Sequence, residues 1–325
     1  GRGGTHATVT DANVVLGRLG AGQTLGGTLA IDGAAARVAV GHLAARQGIA
    51  VEAMAAGIVA LAVAKMAAAI YEISVARGRD PRDYALVPFG GAGPLHACEV
   101  AAELGIPRVL VPPSPGTFSA FGALCSPLIK DRAVTLLAPL DEALAARMHA
   151  LAAEFAAGLR AEFAAEGTDT ARFETILQVD ARYLGQAHEL TVVVPAGSDA
   201  AAMRARFEAA FSREYGRLDG ARAVEIVNLR VIGRIGIVAP AIAALPVQPM
   251  PTGRRALWQG AGWGDAPVYR REALASGAAL HGPAIVEEMS ATLYLPPAWT
   301  LQVGPVGELD LRHEAAAAGR MLAAD

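Results

Sequence analysis

Two cysteines among 325 residues, Cys98 and Cys125, are too few for a disulfide framework and fit a reducing, cytoplasmic setting. Aromatics make up only 5%, against abundant Ala and Gly, a compositional background rather than a functional sign. Charge of one sign is missing too: 28 Lys+Arg stand against 31 Asp+Glu, a formal net charge of −3. That excludes a nucleic-acid binder working by bulk positive charge. No apolar run reaches the roughly 20 residues of a membrane span. The longest, Ala53 to Ala64, lies between Glu52 and Lys65, and extending it would take Lys65 and Glu72 into lipid. It reads as a core helix, so no membrane is expected. No secretory signal is visible in the sequence, and there is no Gly-x-Ser-x-Gly elbow, no Gly-Lys-Ser/Thr phosphate loop, and no Cys-x-x-Cys or His-Glu-x-x-His. The seven histidines are scattered, so no metal site is expected.

What is present is apolar surface: 53% of residues are hydrophobic, enough to bury a large core, and a length of 325 residues suits about two domains. The chain opens on Gly1-Arg2-Gly3-Gly4, which reads as the interior of a domain. A helix is expected after the Asp11-Ala12-Asn13 turn. Asp32 caps another, running from Gly33 to Arg46, and Val51 to Arg77 is a long helix. Then the period changes. Tyr84 to Phe89 is a buried strand, Gly90 to Gly93 a glycine turn, Pro94 to Leu104 a helix and Arg108 to Val111 a second strand. Strand, turn, helix and strand make one βαβ unit with a parallel pair. Beyond Ala133, Leu140 to Glu166 is a long amphipathic helix. Thr175 to Tyr183 and His188 to Val194 alternate as antiparallel strands, Ala200 to Tyr215 is helical, and Val224 to Val238 is strand-like. Pro240 to Gly253 reads as an exposed connection, Arg254 to Leu311 as short strands, and Glu314 to Asp325 as a terminal helix.

The strongest local signal is Val87-Pro88-Phe89-Gly90-Gly91-Ala92-Gly93-Pro94-Leu95-His96. Bare backbone between a strand and a helix lets a ligand approach closely, and free N–H groups at the helix start favour an anion. A nucleotide phosphate or ribose is one reading and a plain tight turn the other, since His96 stands where the dinucleotide fingerprint needs Gly. His96 is either a base or phosphate contact, or a packed, hydrogen-bonded histidine. Asp11 and Asn13 either orient a phosphate or a metal-bound water, or cap a helix. Cys98 lacks a partnering base. His188 with Glu189, and Glu287 with Glu288, read as solvated strand ends.

Several segments together resemble the hydantoinase A/oxoprolinase family. They are Gly3-Gly4 with Thr8 to Leu19, Ser74 to Asp83, Phe89 to Ala97, and Leu104 to Pro113 with Pro115-Gly116 and Ser119-Ala120. In the second half, Tyr183 to Gln186 with Glu189-Leu190, and Gly282 to Glu288 through Pro296 to Trp299, continue the resemblance in family order. The resemblance implies an α/β fold: the second half of an actin/hexokinase-like ATPase core over residues 1–135, then an α+β C-terminal domain over 136–325. It implies ATP and Mg²⁺ as cofactors, with Gly90, Gly91, Ala92 and Gly93 at the nucleoside and Asp11, Asn13 and His96 in catalysis. It implies a cyclic amide substrate (a hydantoin, N-methylhydantoin or oxoproline) and a hydantoinase B-type partner subunit. Ketone carboxylases, of the acetone or acetophenone type, are relatives. The family's two Asp-Gly-Gly-Thr phosphate segments have no counterpart here, so this chain alone is expected to be inactive. A non-catalytic piece that docks a partner is the further alternative.

Overall fold

The computed structural model describes residues 4–21, 24–26, 28–216, 218, 220–238 and 251–314. The expected connection at Pro240 to Gly253 lies mostly outside them. The terminal helix after Glu314 and the start of the first family segment lie outside them too.

Helices are set by caps where the sequence offers them. Helix α1 (Val9–Val15) opens on a capping box, Thr8 with Asp11, so it begins before the Asp11-Ala12-Asn13 segment rather than after it. Helix α2 (Gly33–Gln47) is capped by Asp32, whose carboxylate accepts from the Ala35 N–H at 2.9 Å. Helix α3 (Val51–Ile73) gives way to a 3₁₀ turn at Val75–Arg77. Strands β1 (Thr24–Leu25) and β2 (Leu29–Ala30) form a small hairpin between α1 and α2. The expected strand at Tyr84 to Phe89 shrinks to β3 (Ala85–Leu86), ahead of a proline that has no N–H to donate. Helix α4 (Gly93–Leu104) and strand β4 (Arg108–Val111) complete the βαβ unit, and β3 and β4 pair in parallel as expected.

The chain then passes through α5 (Phe118–Cys125) into β5 (Leu128–Pro139), α6 (Glu142–Ala165), β6 (Phe173–Tyr183), β7 (Leu190–Val194), α7 (Ala200–Tyr215) and β8 (Val224–Ile235). These strands form one antiparallel sheet in the order β5-β8-β6-β7. On β6, alternation turns Leu177, Val179, Ala181 and Tyr183 inward against α6 and α7. The Tyr183 ring sits 5.0 Å from both Phe207 and Phe211 of α7.

The remaining strands are short: β9 (Gly253–Trp258), β10 (Trp263–Arg270), β11 (Ala279–His281), β12 (Ala284–Glu287), β13 (Thr292–Leu295), β14 (Trp299–Val303) and β15 (Leu309–His313). They do not stand apart from the first segment. Strand β15 pairs with β4 in the sheet β11-β14-β15-β4-β3, while β13-β12-β10-β9 form another. Two compact units result, one from residues 1–123 with 241–325 and one from residues 124–240. The linear division at 135 and this partition describe different things: the last strands close a sheet begun by β4. In the first unit α4 is central. Its Leu95 joins a core with Leu257, Val268 and Ile285, and its Ala97, Cys98 and Ala101 join another with Val109, Leu301 and Leu311.

Candidate functional site

Two adjoining features meet on α4. At its start is the glycine turn. Gly90 has φ of +83°, open space where a side chain would stand, and an N–H that donates to Pro115 O at 2.7 Å. Helix α4 has no side-chain cap, so its first N–H groups are not claimed by a side chain. The turn is not bare on every side. A Cβ on Gly91 would stand 2.8 Å from the Ser290 carbonyl oxygen. One on Gly116 would stand 2.1 Å from Ser290 Oγ and 2.6 Å from its Cβ. The β12–β13 turn therefore wedges Ser290 between two glycine-bearing turns, and Met289 O accepts from the Gly26 N–H at 3.1 Å. Gly91 and Gly116 are needed here for the chain's own close packing. A Cβ on Gly90 would meet open space and one on Gly93 would meet Pro88, so neither is held against Ser290 in this way.

One turn along α4 is a buried polar cluster. Asn13, fully buried on α1, donates from Nδ2 to Val9 O at 2.8 Å and lies 3.4 Å from His96 Nε2. With Asn13 Nδ2 as donor, Nε2 is assigned as the acceptor, and Nδ1 is left on the side of Glu99. His96 Nδ1 faces Glu99 Oε2 at 3.9 Å, beyond hydrogen-bond reach. Arg18 grips the Glu99 carboxylate with two bonds of 2.7 Å and lies 4.3 Å above the Tyr294 ring. Burial pushes the Glu99 carboxyl up, but His96 and the Arg18 guanidinium outweigh it and hold it below the usual range. Burial pushes the Tyr294 hydroxyl up. Asn13 Oδ1, His96 Nδ1 and Arg18 Nε are buried without a hydrogen-bond partner, the kind of polar vacancy that an ordered water or a ligand's polar group fills.

Of the expected residues, Asn13 and His96 come together and Asp11 does not join them. Its Oδ2 accepts from the Thr8 N–H and hydroxyl at 2.8 and 2.7 Å, committing that oxygen to the cap. Arg18, Glu99 and Tyr294 were not legible as site residues. A charged Arg18 within an apolar stretch, and Glu99 three residues from His96, were the available signals. Burial pushes the Cys98 thiol well up, which suits a core residue and not a nucleophile. His188 and Glu189 are exposed, as expected of a strand end.

Glu287 and Glu288 differ from the expectation of solvated ends. Glu287 is buried and paired with Arg255 at 2.5 Å, because β12 lies inside its sheet. Burial raises the Glu288 carboxyl to about 7, against the opposing pull of Arg271. No cluster of three or more His, Cys, Asp or Glu suited to a metal occurs among the described residues. A concavity of about 380 Å³ in the second unit, between α6 and strands β6 and β7, is lined mainly by aliphatic groups such as Ala152, Leu177 and Val193. Its His149 is bonded to Ser198 O at 2.8 Å. It lacks the convergent polar groups of a reaction centre.

Comparison with known proteins gives one consistent result. The family described as hydantoinase/oxoprolinase matches residues 1–132, and the hydantoinase/oxoprolinase C-terminal domain matches residues 140–312. An uncharacterized protein of Methanocaldococcus jannaschii is 36% identical over 317 residues, covering 96% of this chain and 45% of that protein. The caprolactamase subunit alpha of Pseudomonas jessenii is 33% identical over 329 residues, covering 96% of this chain and 47% of that protein. The crystal structure of that ATP-dependent caprolactamase overlays with a TM-score of 0.73 at 30% identity, over 96% of this chain and 47% of the other. The nucleotide-free structure of acetone carboxylase overlays with a TM-score of 0.84 at 24% identity, over 94% of this chain and 46% of the other, a likeness of fold. The chain thus spans about half the length of these relatives.

Proposed function

Because the chain belongs to the hydantoinase/oxoprolinase family, we propose that it forms part of a cytoplasmic subunit that spends ATP to open a cyclic amide. The observation that carries this reading is the 33% identity, over 96% of the chain, to the caprolactamase subunit alpha. The chemistry suits such a substrate. An amide carbonyl is a poor electrophile, and ATP supplies a phosphoryl group that makes its oxygen a leaving group.

The chain's own residues would contribute a nucleoside wall and a polar anchor. The open side of Gly90 and the uncapped start of α4 at Ala92 and Gly93 suit a ribose or a phosphate oxygen. Ser290 fills the sides of Gly91 and Gly116, so a nucleoside would lie along Gly90 and the helix start, or the β12–β13 turn would shift to admit it. His96 would hold its ring between Asn13 and Glu99, with Arg18 keeping Glu99 ionised. Asp11 would act by fixing the start of α1, which carries Asn13. Mg²⁺ finds no ligand set among the described residues, so its ligands would come from elsewhere in a full-length subunit. The actin/hexokinase-like reading of residues 1–135, the 136–325 domain and a hydantoinase B-type partner belong to the same proposal.

The second reading is a ketone carboxylase subunit, supported by 29% identity, over 94% of this chain, to the acetophenone carboxylase gamma subunit of Aromatoleum aromaticum. Turnover of ATP by the chain with its partner subunit, on a panel of lactams, hydantoins and ketones with and without bicarbonate, separates the two. Lactam- or hydantoin-dependent ATP cleavage without bicarbonate is expected. A strict requirement for bicarbonate and a ketone overturns the amide reading. The 325-residue chain alone is expected to show no turnover, and measurable cleavage by it would show that it already holds the phosphate machinery.

A further inference from the structure

Helix α3 is mostly apolar, with Glu52, Lys65 and Glu72 as its charged residues, but it is covered on one side only. Ala55, Val59, Val63 and Ala67 pack inward, with α1, α2 and α4 supplying the neighbouring helical contacts. On the far side Leu61 and Tyr71 are exposed at 61% and 54%, and Met66 and Ile73, elsewhere round the C-terminal half of the helix, are exposed at 37% and 61%. Only 22% of its most apolar stretch is buried. A helix without a polar face is stable where both faces are covered, by protein or by lipid. The expectation of a core helix is met on one side and unmet on the other.

The character of the open face says which cover fits. Ala53, Gly57, Ala60, Ala64 and Ala68 follow one another at helical spacing along it, all exposed. Such a stripe, bordered by Leu61 and continued by Tyr71, lets a second helix lie close against it with its side chains in the groove. Lipid fits poorly. Glu52, Lys65 and Glu72 are distributed along the helix, and its other face is held in a folded core. The relatives supply a source of protein: they align over 96% of this chain, yet 53–55% of their own length has no counterpart in it, by difference from the 47% and 45% covered.

We infer that the outer face of α3 is the seat of a helix from the portion of full-length family subunits that has no counterpart in this chain. This rests on family membership and on the helix itself, not on the ATP reading, so the two fail separately.

The test uses the 325-residue chain and, as probe, the unaligned portion of the Pseudomonas jessenii caprolactamase subunit alpha as a separate polypeptide. The aligned portion of that same subunit is the reference for a productive complex. Size-exclusion chromatography with light scattering should show a one-to-one complex. Ala64→Glu and Ala60→Glu should weaken it about thirty-fold or more, by burying an unpaired charge. Val38→Glu, at an exposed position of α2, should leave it intact. Unchanged melting temperatures of the variant chains establish that the loss is at the interface.

Four results overturn the inference. The wild-type chain forms a concentration-dependent dimer that Ala64→Glu disperses, which makes a second copy the occupant. The chain floats with phosphatidylcholine vesicles. Or the reference forms a complex while this chain does not, or forms one that Ala64→Glu leaves unchanged.

Discussion

Arg18 and Glu99 show what single residues contribute here. Their side chains are 9% and 28% exposed, and removing either leaves the other charged in a largely apolar setting. Arg18→Met should cost about 2–3 kcal/mol in urea unfolding, below the fully buried case because Glu99 reaches solvent. The double variant Arg18→Met/Glu99→Leu should recover most of that loss. A double variant as unstable as the single would show that Arg18 acts through packing on Tyr294 instead.

Gly116 is a second point of sensitivity. Gly116→Ala drives a methyl into Ser290 and should cost about 1–3 kcal/mol. Adding Ser290→Gly should restore part of it, since the Ser290 carbonyl still stands 2.8 Å away. Glu288 makes stability depend on pH. Its folded pKa is about 7 against 4.5 ordinarily, so between those values the folded state holds more protons than the unfolded. Its contribution to stability therefore falls as pH rises from about 4.5 through about 7. In Glu288→Gln, melting temperature should decline less over that window, and a slope equal to wild type would remove Glu288 as its source. At this scale the sequence was legible for Gly90 to Gly93 as a tight turn and for His96 as packed. It was not legible for the Arg18 grip on Glu99, which joins positions separated by 81 residues and leaves no local spacing to read.

Elements were the most legible level, because their signals are local. Asp32, Asp141 and Asp199 each stand before a helix and each accepts from a backbone N–H of its first turn, at 2.9, 2.7 and 2.7 Å. Asp141→Ala and Asp199→Ala should each cost about 1 kcal/mol in thermal unfolding, and no change would mean that packing alone sets these helix starts. Helices α2, α6 and α7 and strands β4 and β6 lie where period and caps place them. Helix α1 was displaced because the Thr8-x-x-Asp11 box was read one step late, taking Asp11 and Asn13 for the cap. The run from Tyr84 to Phe89 was overestimated in burial as well as in length: Tyr84, Val87 and Phe89 are exposed and only Ala85–Leu86 pair, so apolar composition alone fixed neither. On α3 the same limit applies: hydrophobic composition predicted burial, and its second face is open.

For the whole molecule the decisive fact is that residues 124–240 form a compact unit whose sequence interrupts that of the other, which is built from residues 1–123 and 241–325. Its sheet β5-β8-β6-β7 and its core with α6 and α7 are internal to it. Residues 124–240 expressed alone should unfold cooperatively in urea, as a single domain does. Residues 1–123 alone should not, because β4 then lacks β15 and α4 lacks the apolar faces of β12 and β14. Cooperative unfolding of 1–123 would show that the first unit does not depend on its distal strands. Linear sequence reading found the segments on either side of 135 but not their interleaving, since pairing between β4 and β15 is set by tertiary packing.

That pairing also sets an order of events during synthesis. Arg108 on β4 bonds to Asp310 on β15, 202 positions later. At ordinary translation speeds the ribosome delivers the second strand roughly 10–40 s after the first. Through that interval the nascent chain carries an open strand edge and the half-covered helix that bears His96, while the intervening unit has time to fold. A holding chaperone would be needed most during this delay, and a stop codon anywhere before β15 would make it permanent.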